Sequence, residues 1–135
     1  MSGPFHSLSI AGSGMNVYQT WVNAISDNVA NINNVSPTTE PAYQERFVIA
    51  QAAGTQSGRP DGVRVARAEF GNAAGRLVHN PDHPYADEEG FVRVPDVDLT
   101  DQMTNLMIAQ RAYQANVTTF RTAREAYQRA LEIGR

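Results

Sequence analysis

Apolar residues early in the chain fall at Leu8, Ala11, Met15, Tyr18, Val22, Ile25, Val29 and Ile32, with separations alternating between three and four. That is the a/d pattern of a helix laying one stripe against a partner helix. Gly12-Ser13-Gly14 interrupts its first two turns, each glycine costing ~1 kcal/mol against alanine. Val35-Ser36-Pro37 is expected to end it, because the residue before a proline avoids the α region. A second apolar track runs Leu99, Met103, Leu106, Tyr113, Val117, Phe120, Tyr127 and Leu131. Gln110 and Arg124 hold the heptad slots between, with Ala109 and Ala123 beside them. Asp98, with Asp101 three places on, predicts the start of this helix, and Gly134 its stop. From Leu99 to Ile133 it would run about 52 Å, longer than a domain of this size can cover.

Between Pro37 and Pro95 the periodicity changes. Short runs rich in β-branched residues stand between turn signals: Arg46-Phe47-Val48-Ile49, Val63-Arg64-Val65, Arg76-Leu77-Val78 and Phe91-Val92-Arg93-Val94. The loop from Gly54 to Gly62 would join the first two as a hairpin. Strands this short bury little, so they predict a small insert and not an enzyme-sized core. The predicted fold is mainly α: long N- and C-terminal helices packed as a coiled-coil-like pair, with a small β-rich insert. The boundaries fall at 1–36, 37–95 and 96–135.

Charge changes the picture of the first helix. Residues 1–39 hold one formal charge, Asp27, whereas residues 40–97 hold nine acids and six arginines, and residues 98–135 four acids and five arginines. Globular chains are about 25% charged, so the first segment is the abnormal one. Its stretch ISDNVANINN, residues 25 to 34, has four asparagines among ten residues. A face of Ser, Asn, Gln and Thr is a poor solvent face, because solubility usually comes from interspersed charge. It suits contact with other protein, where a buried charge is costly but a neutral amide can hydrogen-bond sideways. The first helix is therefore expected to be contacted on several sides, as in a tube or filament.

The totals exclude several functions. A net charge of −3 without a basic stripe gives no footprint for nucleic acid. No run of roughly 18 apolar residues exists for membrane insertion. The first twenty residues hold no Lys or Arg and no continuous apolar core, so no cleavable secretory signal is expected. With no cysteine there is no disulfide, thiolate metal site or thiol nucleophile. His79-Asn80-Pro81-Asp82-His83 places two imidazoles near a carboxylate, but Pro81 and Pro84 prevent the helical arrangement that would aim both rings at one ion. Asp82, Asp87, Glu88 and Glu89 lack the spacing of a calcium loop. Gly12-Ser13-Gly14 follows no strand and is no phosphate loop. No catalytic, cofactor-binding or metal-binding residue is expected.

Three stretches carry a resemblance. Ser26-Asp27-Asn28-Val29-Ala30-Asn31 resembles the N-terminal signature of bacterial flagellar axial proteins. Ala109-Gln110-Arg111-Ala112-Tyr113-Gln114-Ala115-Asn116 resembles their C-terminal signature. The run from Asn80 to Leu99 is similar to the segment typical of the proximal type of flagellar basal-body rod protein. Two features depart from the pattern: Asn34 to Ala42 delays the aromatic Tyr43, and Asp96 stands where asparagine is common.

The resemblance implies a structural subunit of the rod that crosses the periplasm, passing torque to the hook and enclosing the export channel. The two terminal segments would together form its helical tube. Its partners would be further copies, other rod proteins and the flagellar export apparatus, which would export it without a cleavable signal. Subunit contacts are then expected at Met15, Tyr18, Val22, Ile25, Asn28, Val29, Asn31 and Ile32 on the first helix. On the second they are expected at Leu106, Arg111, Tyr113, Asn116, Val117, Phe120, Tyr127 and Leu131. Tyr113 would supply buried area, with Arg111 and Asn116 hydrogen-bonding neighbours. Two other readings stay open on the residues: a self-contained helical-hairpin adaptor binding through its β insert, and a metal-dependent hydrolase using His79, Asp82 and His83.

Overall fold

A computed structural model describes residues 3–54 and 61–134. The elements are α1 (Pro4–Ala30), β1 (Arg46–Ala52), β2 (Val63–Phe70), β3 (Arg76–His79), β4 (Phe91–Val94) and α2 (Leu99–Ile133). The helices, of 27 and 35 residues, take up about half of the chain. The order helix, small antiparallel insert, helix follows the sequence pattern. Most of the loop expected at 54–62 lies outside the described residues.

Local chemistry accounts for the helix ends. Asp98 caps α2, its Oδ1 accepting the Asp101 N–H at 3.0 Å. Pro4 opens α1, where a missing N–H costs nothing. The helix then runs through Gly12 and Gly14, so the glycine-interrupted turns do form. It ends at Ala30, ahead of the proline signal, because asparagines compete for its backbone. The Asn31 side chain donates to the Asp27 carbonyl at 2.8 Å, and the Asn34 N–H donates to the Asn31 carbonyl at 3.0 Å.

β1 pairs with β2, and β3 with β4, as two separate two-stranded sheets. The β3–β4 pairing is antiparallel, with Arg76 opposite Val94 and His79 opposite Phe91. Gly75 enters β3 at a φ of +56°, and a side chain there would collide with the Val94 carbonyl. Ser36 forms an isolated bridge with Arg93, giving and receiving backbone hydrogen bonds of 2.8 and 2.9 Å. The Arg93 guanidinium donates to the Thr38 carbonyl at 2.8 Å and to the Ala74 carbonyl, fixing the segment that delays Tyr43.

The chain divides into two compact units, each drawing on both helices and the insert. The first comprises Met1–Val22, Val48–Arg67 and Met107–Arg135. Within it the helices run antiparallel: the Phe5 ring lies 4.4 Å from that of Tyr127, and further in Gly14 faces Asn116. Its buried residues are Ala11, Gly14, Val17 and Ala109. The second comprises Asn23–Phe47 and Ala68–Leu106. Ala24, Ile25, Ala42, Val92 and Val97 are buried there, together with the amides of Asn28 and Gln102. No described helix is long and apolar enough to cross a membrane.

Candidate assembly interface

Each helix is covered along a stripe that keeps part of the expected pattern and elsewhere lies one residue earlier, as at Val17 and Ala24 on α1. On α1, Ala11 and Ile25 are buried as the heptads require. The alternate row is tightest at Gly14 and Asn28, whereas Met15 and Val29, one residue on, are half-buried. On α2, Leu106, Tyr113, Phe120 and Tyr127 are half-buried as expected, but the alternate row is Gln102, Ala109, Asn116 and Ala123. Met103, Gln110 and Arg124 are exposed. One residue is about 100° of helix, so this displacement brings glycine, alanine and amides onto the covered side and leaves Met103, Gln110 and Arg124 exposed.

In the second unit the helices meet at a buried polar pair, Asn28 and Gln102. Asn28 is only 1% exposed and its amide is saturated. Its Nδ2 donates to the Arg46 carbonyl at 3.1 Å and to Gln102 Oε1 at 3.0 Å. Its Oδ1 accepts the Arg46 N–H at 2.8 Å and the Tyr43 hydroxyl at 3.1 Å. Gln102, equally buried, donates from Nε2 to Glu45 Oε1 at 2.5 Å. A buried amide left unbonded would cost about 1–3 kcal/mol; here every donor and acceptor of Asn28 is used. Burial holds the Tyr43 hydroxyl and the Glu45 carboxyl above their ordinary pKa ranges. Asp101 and Asp96 push Glu45 further up, while the Gln102 hydrogen bond pulls it down. Asp27 pairs with Arg46 at 2.7 Å, both side chains about half exposed, so this bridge adds little.

In the first unit the close approach is steric. A Cβ on Gly14 would stand 2.5 Å from Asn116 Oδ1. Asn116 is held there by donating to the Ala112 carbonyl at 2.9 Å. Val22 and Tyr113 line an open groove of about 300 Å³ with Gln19, Gln110 and Gln114. Ser13, between the two glycines, joins α1 to β2: its Oγ accepts the Val63 N–H at 3.0 Å and donates to the Ile10 carbonyl at 2.7 Å.

The outward faces differ in kind. α1 exposes Ser9, Asn16 and Asn23 at a spacing of seven, with Gln19 and Ser26 beside them, all uncharged. α2 exposes Leu99, Met103, Met107, Ile108 and Leu131, and also Arg111. Of the expected contact residues, Ile25 and Asn28 lie inside this chain. Met15, Tyr18, Val22, Val29, Asn31 and Ile32 are half-buried, as are Asn116 and Val117. Gly14, Gln102, Ala109, Met107 and Ile108 were absent from that expectation. For Ala109 a signal existed, since it opens the second signature stretch; a polar Gln102 is invisible to a hydrophobic count.

The loop from His79 to Phe91 is built by turns. Asp87 Oδ1 accepts the N–H groups of Phe91 at 2.8 Å and Glu89 at 3.0 Å, and these bonds hold its carboxyl below the usual range. The His79 ring stands edge-on to Phe91, and His83 Nδ1 accepts the Tyr85 N–H at 3.0 Å. Among the described residues no three ligating side chains gather as a metal site would require.

The profile described as the flagellar basal body rod FlgEFG protein C-terminal matches residues 88–133, covering β4 and all of α2. The chain is 36% identical to the flagellar basal-body rod protein FlgC of Yersinia enterocolitica over 93% of each chain. It is 33% identical to that of Escherichia coli O157:H7, again over 93% of each. Against the FlgC of Bacillus subtilis (strain 168) it is 30% identical, over 97% of this chain and 98% of the relative. The likeness spans nearly the whole of each chain, and the chain belongs to the FlgC family of flagellar basal-body rod proteins.

Proposed function

We propose that this chain is a structural subunit of the flagellar basal-body rod, with no catalytic role. It assembles helically with further copies and with other rod proteins. Its terminal helices, paired in coiled-coil fashion, line a periplasm-crossing tube that transmits torque and encloses the export channel. The flagellar export apparatus delivers it. Family membership supports the rod assignment. The observation that carries the mode of assembly is the pair of outward faces: an uncharged polar face on α1 and an apolar one on α2 at Met103, Met107 and Ile108. A helix facing water over its working life gains nothing from either.

The test is incorporation. In cells lacking their own copy, this chain restores swarming and is recovered in purified basal bodies. Met107→Asp and Ile108→Asp, which alter exposed side chains, leave the isolated chain folded but are excluded from basal bodies. Wild-type incorporation of both variants would contradict assembly through this face.

A further inference from the structure

We propose that Asn28 and Gln102 form a register key, a pair of positioning residues that permits only one setting of α1, α2 and the start of β1. The bonds close a ring. Asn28 holds the backbone N–H and carbonyl of Arg46, Gln102 holds the side chain of the adjacent Glu45, and the two amides hold each other. Asn28 meets Arg46 as a neighbouring strand would, so the first residue of β1 is paired to a helix side chain. No nearby setting reproduces this. Moving α1 by three or four residues offers Ala24, Ile25, Asn31 or Ile32; moving α2 offers Asp98, Leu99, Asn105 or Leu106. Only Asn31 and Asn105 among these carry an amide; Asn31 donates its own to the Asp27 carbonyl at 2.8 Å, and Asn105 is one methylene shorter than the Gln102 it would replace. Apolar packing tolerates rearrangement at modest cost, so the alanines and glycine along these helices cannot by themselves select one register. A single buried amide pair can, as buried asparagines do between paired helices. This inference stands apart from the rod assignment and concerns the chain before it meets any partner.

Amide exchange and resonance counting by NMR on the full chain test it. In Asn28→Leu, close in size, the Arg46 amide exchanges roughly ten- to a hundredfold faster, and resonances of residues 42–47 split into more than one set. In Gln102→Met the same splitting occurs although every backbone partner is untouched. Should Asn28→Leu fail to fold, Gln102→Met alone decides. A single set of resonances with wild-type protection of Arg46 in Gln102→Met would overturn the key and leave packing alone to set the register. A purely space-filling role would be rescued by both variants.

Discussion

α1 and α2 are covered in opposite measure to their charge. The shorter, nearly uncharged α1 buries Ala11, Gly14, Val17, Ala24, Ile25 and Asn28. The longer, more charged α2 buries only Gln102 and Ala109. Within each unit α1 therefore supplies more of the helical burial than α2, which turns methionine and isoleucine outward. The difference also separates two uses of asparagine on one helix. Asn28 faces inward with every bond made; Asn16 and Asn23 face outward with no charge among them. Low charge in α1 thus has one cause internal to the chain, and the proposed assembly would supply a second.

The inner and outer sides of α2 give the largest expected contrast. Ala109→Leu forces a side chain into a position with no exposed surface and should cost about 1–3 kcal/mol. Its neighbour Ile108→Ala, half exposed, should stay within about 0.5 kcal/mol. Urea denaturation of the two variants checks this; equal losses would mean that α2 is not covered on one side only.

On α1 a smaller contrast separates two glycines. A Cβ at Gly12 meets nothing within 4 Å, so Gly12→Ala should stabilise by roughly 0.5–1 kcal/mol. Gly14→Ala should forfeit that gain because Asn116 must move, and adding Asn116→Ala should restore it. Thermal midpoints of the three variants decide the matter. An unaided gain from Gly14→Ala would show that the helices do not meet there.

The smallest effect lies where α2 begins. Burial first, then Asp101 and Asp96, hold folded Glu45 above its ordinary value. A raised carboxyl favours the fold fully below its unfolded pKa, and that contribution fades as pH rises through the folded value. Glu45→Gln keeps an acceptor for Gln102 without the half-buried charge. It should be slightly more stable than wild type at pH 7, with the advantage vanishing as both are acidified. Urea midpoints across that range check the sign; an advantage independent of pH would refute it.

Much of this could be read from residues alone. The strand cores, the Asp98 cap and the order of elements followed from period and turn chemistry. The inner row of each helix did not, for a physical reason. Hydrophobic counting assigns buried positions to Met15, Val29 and Met103, but close helix contact favours Gly14, Asn28 and Gln102, whose fitness depends on size or on partners far along the chain. Likewise the end of α1 went to asparagines that bond their own backbone before the proline could act.

The absence of cysteine makes the central claim directly measurable. Ser9→Cys and Asn16→Cys place single thiols on the uncharged face of α1, and Glu88→Cys places one on the exposed β3–β4 loop. Maleimide labelling would be compared between the isolated chain and purified basal bodies. All three should react in the isolated chain, and in basal bodies the two on α1 should be protected. Undiminished labelling of Ser9→Cys and Asn16→Cys in basal bodies would mean that the outer face of α1 stays in water, and assembly through it would be wrong.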